Sequence, residues 1–314
     1  SIEDVTSNFQ YCIDDKYLYF KTDKNPTEEL GKLKIIPRTT LLYLSSNTVV
    51  NGLIIENTGS HGIVRRTYPM SNVYIQNCII RNVGGAIQGD IGSTRYGNGI
   101  EFWKQAKNTV VTNCIFKNIY DAAYTLQGDD VTGGFENNIC TDCIFINCSY
   151  PSEFFVYKDD SAESCVFRNN FYENNLIINQ GNGFGYEFSN SQYIPANSVI
   201  WSIDTNDLGG ITYKNNKSYN SKKLYFKMYT WDDEEYKKIV KSDYNIYYLN
   251  EDTIAFAEGE NHKEVEYLKT YNLDEHSTFN YLTDEEIEII SNPDILNSNN
   301  YEEIKAYYDN FDIK

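Results

Sequence analysis

Four short segments of the chain repeat the same residue types around a cysteine, and no other feature limits the fold as strongly. In each segment two apolar residues follow the cysteine: Asn77-Cys78-Ile79-Ile80, Asn113-Cys114-Ile115-Phe116, Asp142-Cys143-Ile144-Phe145 and Ser164-Cys165-Val166-Phe167. An asparagine comes four residues after each cysteine, at Asn82, Asn118, Asn147 and Asn169. The cysteines are 36, 29 and 22 residues apart. A constant motif at variable spacing indicates one structural unit, repeated with loops of different length between the copies.

An earlier segment, 51–54, fits the same pattern with Gly52 at the cysteine position and Asn57 one residue late. Between the motifs lie runs rich in β-branched and aromatic residues, such as 73–75 and 108–111, which are typical of strands. Such strands cannot bury an apolar face singly, so successive repeats must stack. The pattern therefore predicts an all-β solenoid, a parallel β-helix. A β-sandwich with accidental cysteine spacing is the alternative.

Stacked repeats place equivalent residues above one another in columns. We expect the asparagines to form a hydrogen-bonded ladder at a bend. The chain has seven cysteines, so at least one thiol is unpaired. We expect four of them to stack inside as free thiols, namely Cys78, Cys114, Cys143 and Cys165. A second inner stack is predicted for three phenyl rings, those of Phe116, Phe145 and Phe167.

Several segments are similar to the right-handed parallel β-helix proteins of polysaccharide-degrading bacteria. The segments that carry this resemblance are 9–20, 23–26, 51–55, 59–63, 97–103, 118–123, 126–128, 243–248 and 273–277. The resemblance implies a small N-terminal β unit before a right-handed β-helix. It also implies a carbohydrate-active protein, but that group contains glycoside hydrolases, polysaccharide lyases and epimerases, so the resemblance leaves the activity open.

The pattern divides the chain into three parts. We predict an N-terminal β unit over 1–45, the parallel β-helix over 46–220 and a mostly helical segment over 221–314. Helices are expected over 231–241 and 260–271, after the capping box that begins at Thr283, and over 300–311. Covering one end of the β-helix would protect its last strand edge.

Charge excludes several classes of partner. Asp and Glu number 45 against 27 Lys and Arg, a formal charge of −18, and this repels nucleic acid. Nothing approaches about 18 consecutive apolar residues, so we expect no transmembrane segment. The chain starts at Ser1 without a leader, so we expect any secretion signal to have been removed or to lie upstream. The expected location is secreted or at the cell surface.

Three carboxylates are the candidate catalytic groups. Alignment of the repeats brings Glu101, Asp121 and Glu153 to neighbouring positions, where strands lie about 4.8 Å apart. Stacked carboxylates repel one another, so one can stay protonated while another is ionised, as a glycosidase needs. We predict Asp121 and Glu153 as the working pair and Glu101 as an orienting or substrate-binding group. Acids scattered over every face of so acidic a chain are the alternative interpretation.

Five nearby residues are the predicted substrate-binding set. Aromatic rings can cover the apolar faces of sugars, and amides can hydrogen-bond their hydroxyls. The set is Trp103, Tyr124, Gln127, Asn98 and His61, with Trp103 and Tyr124 in the walls of a lateral cleft.

Metal and cofactor signals are weak. We expect no cofactor, although a Ca²⁺ site could form from paired loop acids. Those acids are Asp129, Asp130, Asp159 and Asp160. Cys140, Cys143 and Cys148 have zinc-like spacing, but no second cysteine pair follows and Cys143 belongs to the predicted ladder, so no zinc site is expected.

Three functions remain open at this point. Paired acids with aromatic residues favour a glycoside hydrolase acting on a polysaccharide or oligosaccharide. A lyase or epimerase acting on a uronate-containing glycan would need a base and cationic neutralisation, for which Arg65, Arg66 and Arg95 are candidates. A glycan-binding or adhesion module would need the aromatic residues but no paired acids.

Overall fold

The computed structural model describes the 314 residues with a few gaps. The residues outside the description are 15, 32–33, 66–68, 90–93, 186–196, 225, 229–235, 258–259, 263–268, 270–271 and 312–314. The chain divides into two compact units, Ser1–Pro37 and Arg38–Lys314. Among the described residues, no helix combines the length and the apolar character that crossing a membrane requires.

The first unit is small. It contains a 3-10 helix (Ile2–Asp4), an antiparallel hairpin of strands β1 (Tyr11–Ile13) and β2 (Leu18–Phe20), and helix α1 (Pro26–Leu30). Asn25 begins α1 because its side-chain oxygen accepts a hydrogen bond from the Thr27 amide. The unit ends at Pro37, earlier than the predicted boundary at 45.

The second unit is a parallel β-helix with three sheets, which we call A, B and C. Its strands are numbered along the chain. Sheet A contains β3 (Leu42–Leu44), β6 (Ile63–Arg65), β11 (Ile100–Trp103), β14 (Ala122–Val131), β17 (Tyr150–Lys158), β21 (Ser198–Ile203) and β26 (Phe226–Met228). Sheet B contains β4 (Thr48–Asn51), β7 (Ser71–Gln76), β12 (Gln105–Thr112), β15 (Gly134–Thr141), β18 (Val166–Arg168), β19 (Asn170–Glu173), β22 (Asp207–Leu208), β23 (Ile211–Lys214) and β27 (Val240–Asp243). Sheet C contains β5 (Ile54–Thr58), β8 (Ile79–Val83), β13 (Ile115–Ile119), β16 (Ile144–Ile146), β20 (Leu176–Ile178), β24 (Lys217–Tyr219), β28 (Ile246–Leu249) and β31 (Thr278–Tyr281).

Two smaller sheets project from this body. One is the antiparallel pair β9 (Ala86–Ile87) and β10 (Arg95–Tyr96). The other contains β25 (Lys223–Leu224), β29 (Ile254–Ala257) and β30 (Glu260–His262). The chain passes from A to B to C in each coil and then returns to A, so every strand of the three main sheets pairs in parallel with strands of neighbouring coils.

Asparagines form the bends between sheets because this residue tolerates a positive φ. At the ends of the sheet C strands the bend residues have φ between 51° and 63°: Asn57, Asn82, Asn118, Asn147, Asn179 and Asn220. Their side-chain amides bond from coil to coil, as in Asn82 Nδ2 to Asn57 Oδ1 at 3.2 Å. Asn169 is wrongly placed in this predicted column: its amide bonds Asn137 at a bend that precedes β19 of sheet B.

The inner cysteine column is confirmed for three of its four predicted members. Cys78, Cys114 and Cys143 precede the paired residues Ile79, Ile115 and Ile144, and each thiol donates to the carbonyl two residues earlier. The prediction for Cys165 is wrong, because it precedes β18 of sheet B. In the first coil Leu53 occupies the column instead of Gly52, since Ile54 pairs with Ile79.

Asparagine replaces cysteine in the later coils of this column. The Cys143 amide donates to Asn175 Oδ1 at 2.9 Å, the Asn175 amide to Asn216 Oδ1 and the Asn216 amide to Asn245 Oδ1. These side chains are buried, so they satisfy main-chain groups that water cannot reach. The inner column therefore changes from apolar thiols to hydrogen-bonding amides along the helix axis.

The predicted phenyl stack is confirmed for one pair. The rings of Phe116 and Phe145 are 4.8 Å apart and 6° from parallel. Phe167 is not part of this stack; it pairs with Phe135 of sheet B, and their ring centroids are 6.4 Å apart. Residues 164–167 were aligned with the wrong sheet, because they have the same residue types as the other three motifs but lie directly before and within β18 of sheet B.

The β-helix continues beyond the predicted end at 220. Strands β23 to β28 and β31 extend it to Tyr281. The helix predicted over 231–241 lies partly outside the described residues; its described part is helix α2 (Tyr236–Ile239) followed directly by β27. The prediction over 260–271 is wrong at its start, where β30 forms, and most of its remainder lies outside the description.

Three helices end the chain: α3 (Asp284–Ile290), α4 (Pro293–Asn297) and α5 (Tyr301–Asp309). The predicted capping box is confirmed, since Thr283 accepts from the Glu286 amide and the Glu286 carboxylate accepts from the Thr283 amide. Contrary to the prediction, these helices pack against the outer face of sheet C. Ile290, Ile304 and Tyr308 share one buried cluster with the outward residues of that sheet, including Ile115, Ile144, Leu176 and Ile178.

Candidate functional site

The candidate site lies on the outer face of sheet A, where strand alternation decides which side chains point away from the core. In β11, Ile100 and Phe102 are fully buried whereas Glu101 and Trp103 are partly exposed. Glu101 pairs with Thr125 of β14, and Thr125 pairs with Glu153 of β17. The register therefore brings Glu101 and Glu153 into one outward column, two coils apart.

Glu101 is held by two side-chain amides and lies beside a histidine. Its Oε2 accepts hydrogen bonds from Asn98 Nδ2 at 2.8 Å and Gln127 Nε2 at 3.0 Å, and it lies 3.5 Å from His61 Nδ1. Among the described residues, Oε1 has no hydrogen-bond partner. With 12 % of its side chain exposed, Glu101 is a fixed carboxylate with one oxygen free to act on a ligand. The sequence placed Asn98, Gln127 and His61 near the site, and the structure brings all three to this carboxylate.

A second set of bonds fixes these neighbours. The Asn98 amide donates to His61 Nδ1 at 3.1 Å, and Asn98 Oδ1 accepts from the Ala122 amide at 3.0 Å. Gln127 is oriented by Thr125, whose hydroxyl donates to Gln127 Oε1 at 2.6 Å. Because Nδ1 of His61 accepts a hydrogen bond, the neutral ring carries its proton on Nε2. Asn98 thus connects its own coil to the coils on both sides, directly before the strands of sheet A.

Asp121 lies in the bend directly before β14 and remains partly exposed. Burial raises the pKa of its carboxyl to about 7, and the negative charge of Glu101 raises it further while the Ala122 amide opposes the shift. Asp121 and Glu153 were predicted at neighbouring positions on adjacent strands; the residue that pairs with Glu153 is Thr125, so Asp121 lies four residues before that level. The charge of Glu101 therefore acts on Asp121. The two residues are linked through Asn98, which bonds both Glu101 and the amide of Ala122, the residue after Asp121.

The chain packs closely around the residue that precedes Asp121. A Cβ on Gly84, which has a φ of 97°, would lie 2.7 Å from the Tyr120 Cβ. Only glycine fits such a close approach of two chain segments. The dense packing at this bend limits solvation of the neighbouring carboxyl.

Glu153 is buried, with 7 % exposure, and it has interactions within the protein. At about 4.8 Å per coil, its Cα lies about 10 Å from that of Glu101. Its strand is adjacent to that of Asp121, as predicted from the repeats.

The prediction for Tyr124 is wrong. Tyr124 is paired with Ile100 and Ser152 in an inward column and is 1 % exposed. Its ring packs edge-on against Phe102, at 6.0 Å between centroids, and it cannot line an outer cleft. Counting alternation from Glu101 would have found this, because an inward Ile100 implies an inward partner.

Aromatic residues that the sequence did not assign complete the face. Trp103 packs edge-on against Phe155, 5.9 Å between centroids, and Phe155 contacts Tyr157, which is 46 % exposed. The pairing of Trp103 and Phe155 with Gln127 between them follows from register alone. The alternation of inward and outward side chains over 153–157 would have shown that Phe155 and Tyr157 lie on the same face as Glu153.

The predicted metal and cationic groups have other neighbours. Asp159 accepts hydrogen bonds from Ser161, and Asp130 lies 3.7 Å from Lys104 Nζ. Within the described part of the chain, no three His, Cys, Asp or Glu residues form a group that could hold a metal. Arg95 donates to the Gly85 carbonyl, and Arg66 lies outside the described residues.

Comparison with known proteins agrees with this architecture. A family model described as a right handed beta helix region matches residues 38–200, more than half of the chain. The match begins at the first residue of the second compact unit. No curated protein and no solved structure matches the chain. Because the matched residues form parallel strands in three stacked sheets, the chain belongs to the right-handed parallel β-helix family.

Proposed function

We propose that the protein is a glycoside hydrolase acting on a polysaccharide or oligosaccharide, with Asp121 as general acid and Glu101 as its partner carboxylate. The observation that carries the proposal is the proximity of two unequal carboxyl groups. The pKa of Asp121 is raised to about 7, while Glu101 receives two amide hydrogen bonds. Such unequal pairs divide acid and base roles between them.

Asp121 suits the acid role because its proton is retained near neutral pH. A protonated carboxyl can give its proton to the glycosidic oxygen as that bond breaks. Glu101 repels the negative charge that would form, so each carboxyl supports the role of the other. The partial exposure of Asp121 leaves a route for the leaving group.

Glu101 suits the base or nucleophile role because the side-chain amides of Asn98 and Gln127 hold its carboxyl group in one position. Both donors bind Oε2, which directs Oε1 toward a ligand. This pairing revises the role that the sequence analysis gave to Glu101. Glu153, two coils away, then serves as a neighbouring binding group.

Sugar as the substrate class is supported by the aromatic and amide groups on the same face. Trp103 offers a ring close to Gln127, and ligand sites combine such surfaces with a few polar groups. Family membership is compatible with carbohydrate-active enzymes. Since polymers of this kind lie outside cells, the proposal includes a secreted or surface location.

Elimination by a lyase or epimerase is the second candidate, favoured by Arg95. Burial raises the pKa of the Tyr120 hydroxyl, the Arg95 charge opposes that shift and the Asp121 charge adds to it. An arginine near a tyrosine and a carboxyl could neutralise a uronate and assist proton removal.

Two assays on one glycan panel separate these functions. The panel contains glucans, xylans, mannans, galactans and uronate polymers, and each digest is followed by reducing-sugar release and by absorbance at about 235 nm, where an elimination product absorbs. Hydrolysis raises only the first signal and elimination raises both. Neither signal on any polymer would leave a binding module and contradict the proposal. Asp129→Asn, a change at an exposed acid near the end of β14, is the matched control.

A further inference from the structure

Two aromatic surfaces lie at opposite ends of the carboxyl pair. The first, which we call the Trp103 platform, consists of Trp103, Phe155 and Tyr157. The second, the Tyr120 platform, consists of Tyr120 and Phe184, whose ring centroids are 5.6 Å apart. All five rings are at least partly exposed. The proposed hydrolase function assigns no role to the second platform.

The Tyr120 platform is held in place by close packing of the chain. A Cβ on Gly185 would lie 2.2 Å from the Tyr120 carbonyl oxygen and 2.1 Å from Ser149 Oγ. A Cβ on Gly85 would lie 3.3 Å from the Phe184 ring and 3.4 Å from the Tyr120 ring. The two rings therefore form a surface fixed by the backbone, next to Asp121 in the sequence.

The order of groups along β14 fixes the direction of the site. Tyr120 and Asp121 come first, Thr125 is level with Glu101, and Gln127 is level with Trp103. At about 3.3 Å per residue, the distance from Tyr120 to the level of Gln127 is at most roughly 23 Å, enough for several sugar units. The Tyr120 platform, the carboxyl pair and the Trp103 platform thus follow one another in the direction of the strands.

We propose that the glycan lies along the strands of sheet A, across the axis of the β-helix, with its reducing-end side on the Tyr120 platform and its non-reducing side on the Trp103 platform. This inference rests on the proposed hydrolase function. The direction follows from the position of the acid: Asp121 adjoins the Tyr120 platform, so the sugar that leaves with the transferred proton lies there.

The chemical step balances with water as the only co-reactant. The Asp121 carboxyl gives its proton to the glycosidic oxygen, and the bond from that oxygen to the anomeric carbon breaks with its electron pair staying on oxygen. Water supplies the oxygen that replaces it at the anomeric carbon, and the proton lost by water ends on a carboxylate of the pair. The reducing-end fragment leaves over Tyr120 and Phe184.

The test uses oligosaccharides of four to six units carrying a fluorophore at the reducing end, made from whichever panel polymer the wild-type protein cleaves. Phe184→Ala weakens the reducing side, so productive complexes shift units to the other side and the labelled product becomes shorter. Tyr157→Ala weakens the non-reducing side, so the labelled product becomes longer. Loss of one ring contact is expected to change the product ratio about 3-fold to 10-fold. Tyr74→Ala, at an exposed ring on sheet B, is the control and leaves the products unchanged.

Each outcome is decisive. Opposite shifts in product length support the proposed direction, and reversed shifts would invert it and so overturn it. Shifts in the same direction, or none in folded variants with activity, would contradict a chain lying along the strands. Absence of cleavage by the wild-type protein on every polymer would instead refute the hydrolase function itself. Circular dichroism and the melting temperature confirm that each variant is folded.

Discussion

Sheets A and C enclose the same core, but their outer faces have opposite chemistry. Outward residues of sheet C form an apolar cluster that includes Ile115, Ile144 and Ile178, and the last three helices pack against it. The central outward column of sheet A instead contains Glu101, Thr125 and Glu153. Since both sheets form by the same stacking of coils, the difference teaches that outward residues, which do not determine the coil, are free to specify either packing or chemistry.

The largest expected effect breaks the chemistry of sheet A without touching its packing. Asp121→Asn removes the transferable proton and Glu101→Gln removes the carboxylate, so each is expected to lower turnover by about 10²–10⁴-fold. Steady-state kinetics on the cleaved polymer measures this, and Asp129→Asn serves as control. Full activity in both amide variants would exclude this pair.

The corresponding change on sheet C breaks packing and leaves the chemistry intact. Ile304 is fully buried between α5 and the sheet, so Ile304→Ala is expected to lower the free energy of unfolding by about 2–5 kcal/mol. Urea denaturation measures the loss. Activity per folded molecule should remain at the wild-type level, whereas an activity loss larger than the unfolded fraction would connect the two faces.

The stability of the wild-type protein should depend on the charge of Asp121. Its folded pKa of about 7 exceeds the ordinary aspartate value of 3.8, so the native state binds more protons than the unfolded state between these values. Stability therefore falls as pH rises from about 4 to 7. Asp121→Asn should gain on the order of 1–3 kcal/mol relative to wild type at pH 8 and little at pH 4. Equal differences in denaturation midpoint at both pH values would contradict the raised pKa.

Lys117, on sheet C beneath the last helices, offers a second test of how a buried charge changes stability with pH. Lys117 is 4 % exposed, and its ammonium donates to the carbonyls of Leu296 and Ser298. Burial lowers the pKa of this ammonium from 10.5 to about 8. The unfolded state then binds more protons between pH 8 and 10.5, so this group makes stability rise with pH in that window. Lys117→Met should lack that contribution, on the order of 1–2 kcal/mol, in denaturation curves at pH 8 and pH 10. A rise of the same size in the variant would exclude Lys117 as its source.

The smallest effect concerns reactive thiols. All seven cysteines are free, and six of them are buried. Burial raises the pKa of the Cys143 thiol well above its usual range and that of Cys148 to about 12, which makes both unreactive. Cys148 is therefore not expected to react in the native protein. A thiol reagent followed by mass spectrometry should label Cys12 in the native protein, and rapid labelling of Cys114 or Cys143 would contradict the inner column.

How far the sequence reached is seen best at the cysteine motifs. Three of them share spacing and environment because each must fill the same small space after a bend, so they predicted the column correctly. The fourth motif, at Cys165, has the same residue types but lies at a different position in the coil, before a strand of sheet B. Residue types alone cannot distinguish two bends with similar steric demands, and the register of strand pairing is needed to separate them.

The same limit applied to the C-terminal region. The capping box at Thr283 predicted its helix, since a cap is a local interaction between neighbouring residues. The order of charges over 231–241 predicted a helix, but residues from Val240 onward form β27 because they pair with β23 in sheet B. Pairing with an existing sheet overrode a local preference there.

The sequence by itself determined the repeat, the parallel β-helix, the inner thiols and which residues gather near the site, because these depend on periodic residue types. Tertiary structure alone decided that Tyr124 faces inward, that the charge of Glu101 raises the pKa of Asp121, and that the final helices cover sheet C. The physical reason is that facing and charge coupling depend on strand register and burial, which arise only when coils more than 20 residues apart in sequence are stacked about 4.8 Å from one another.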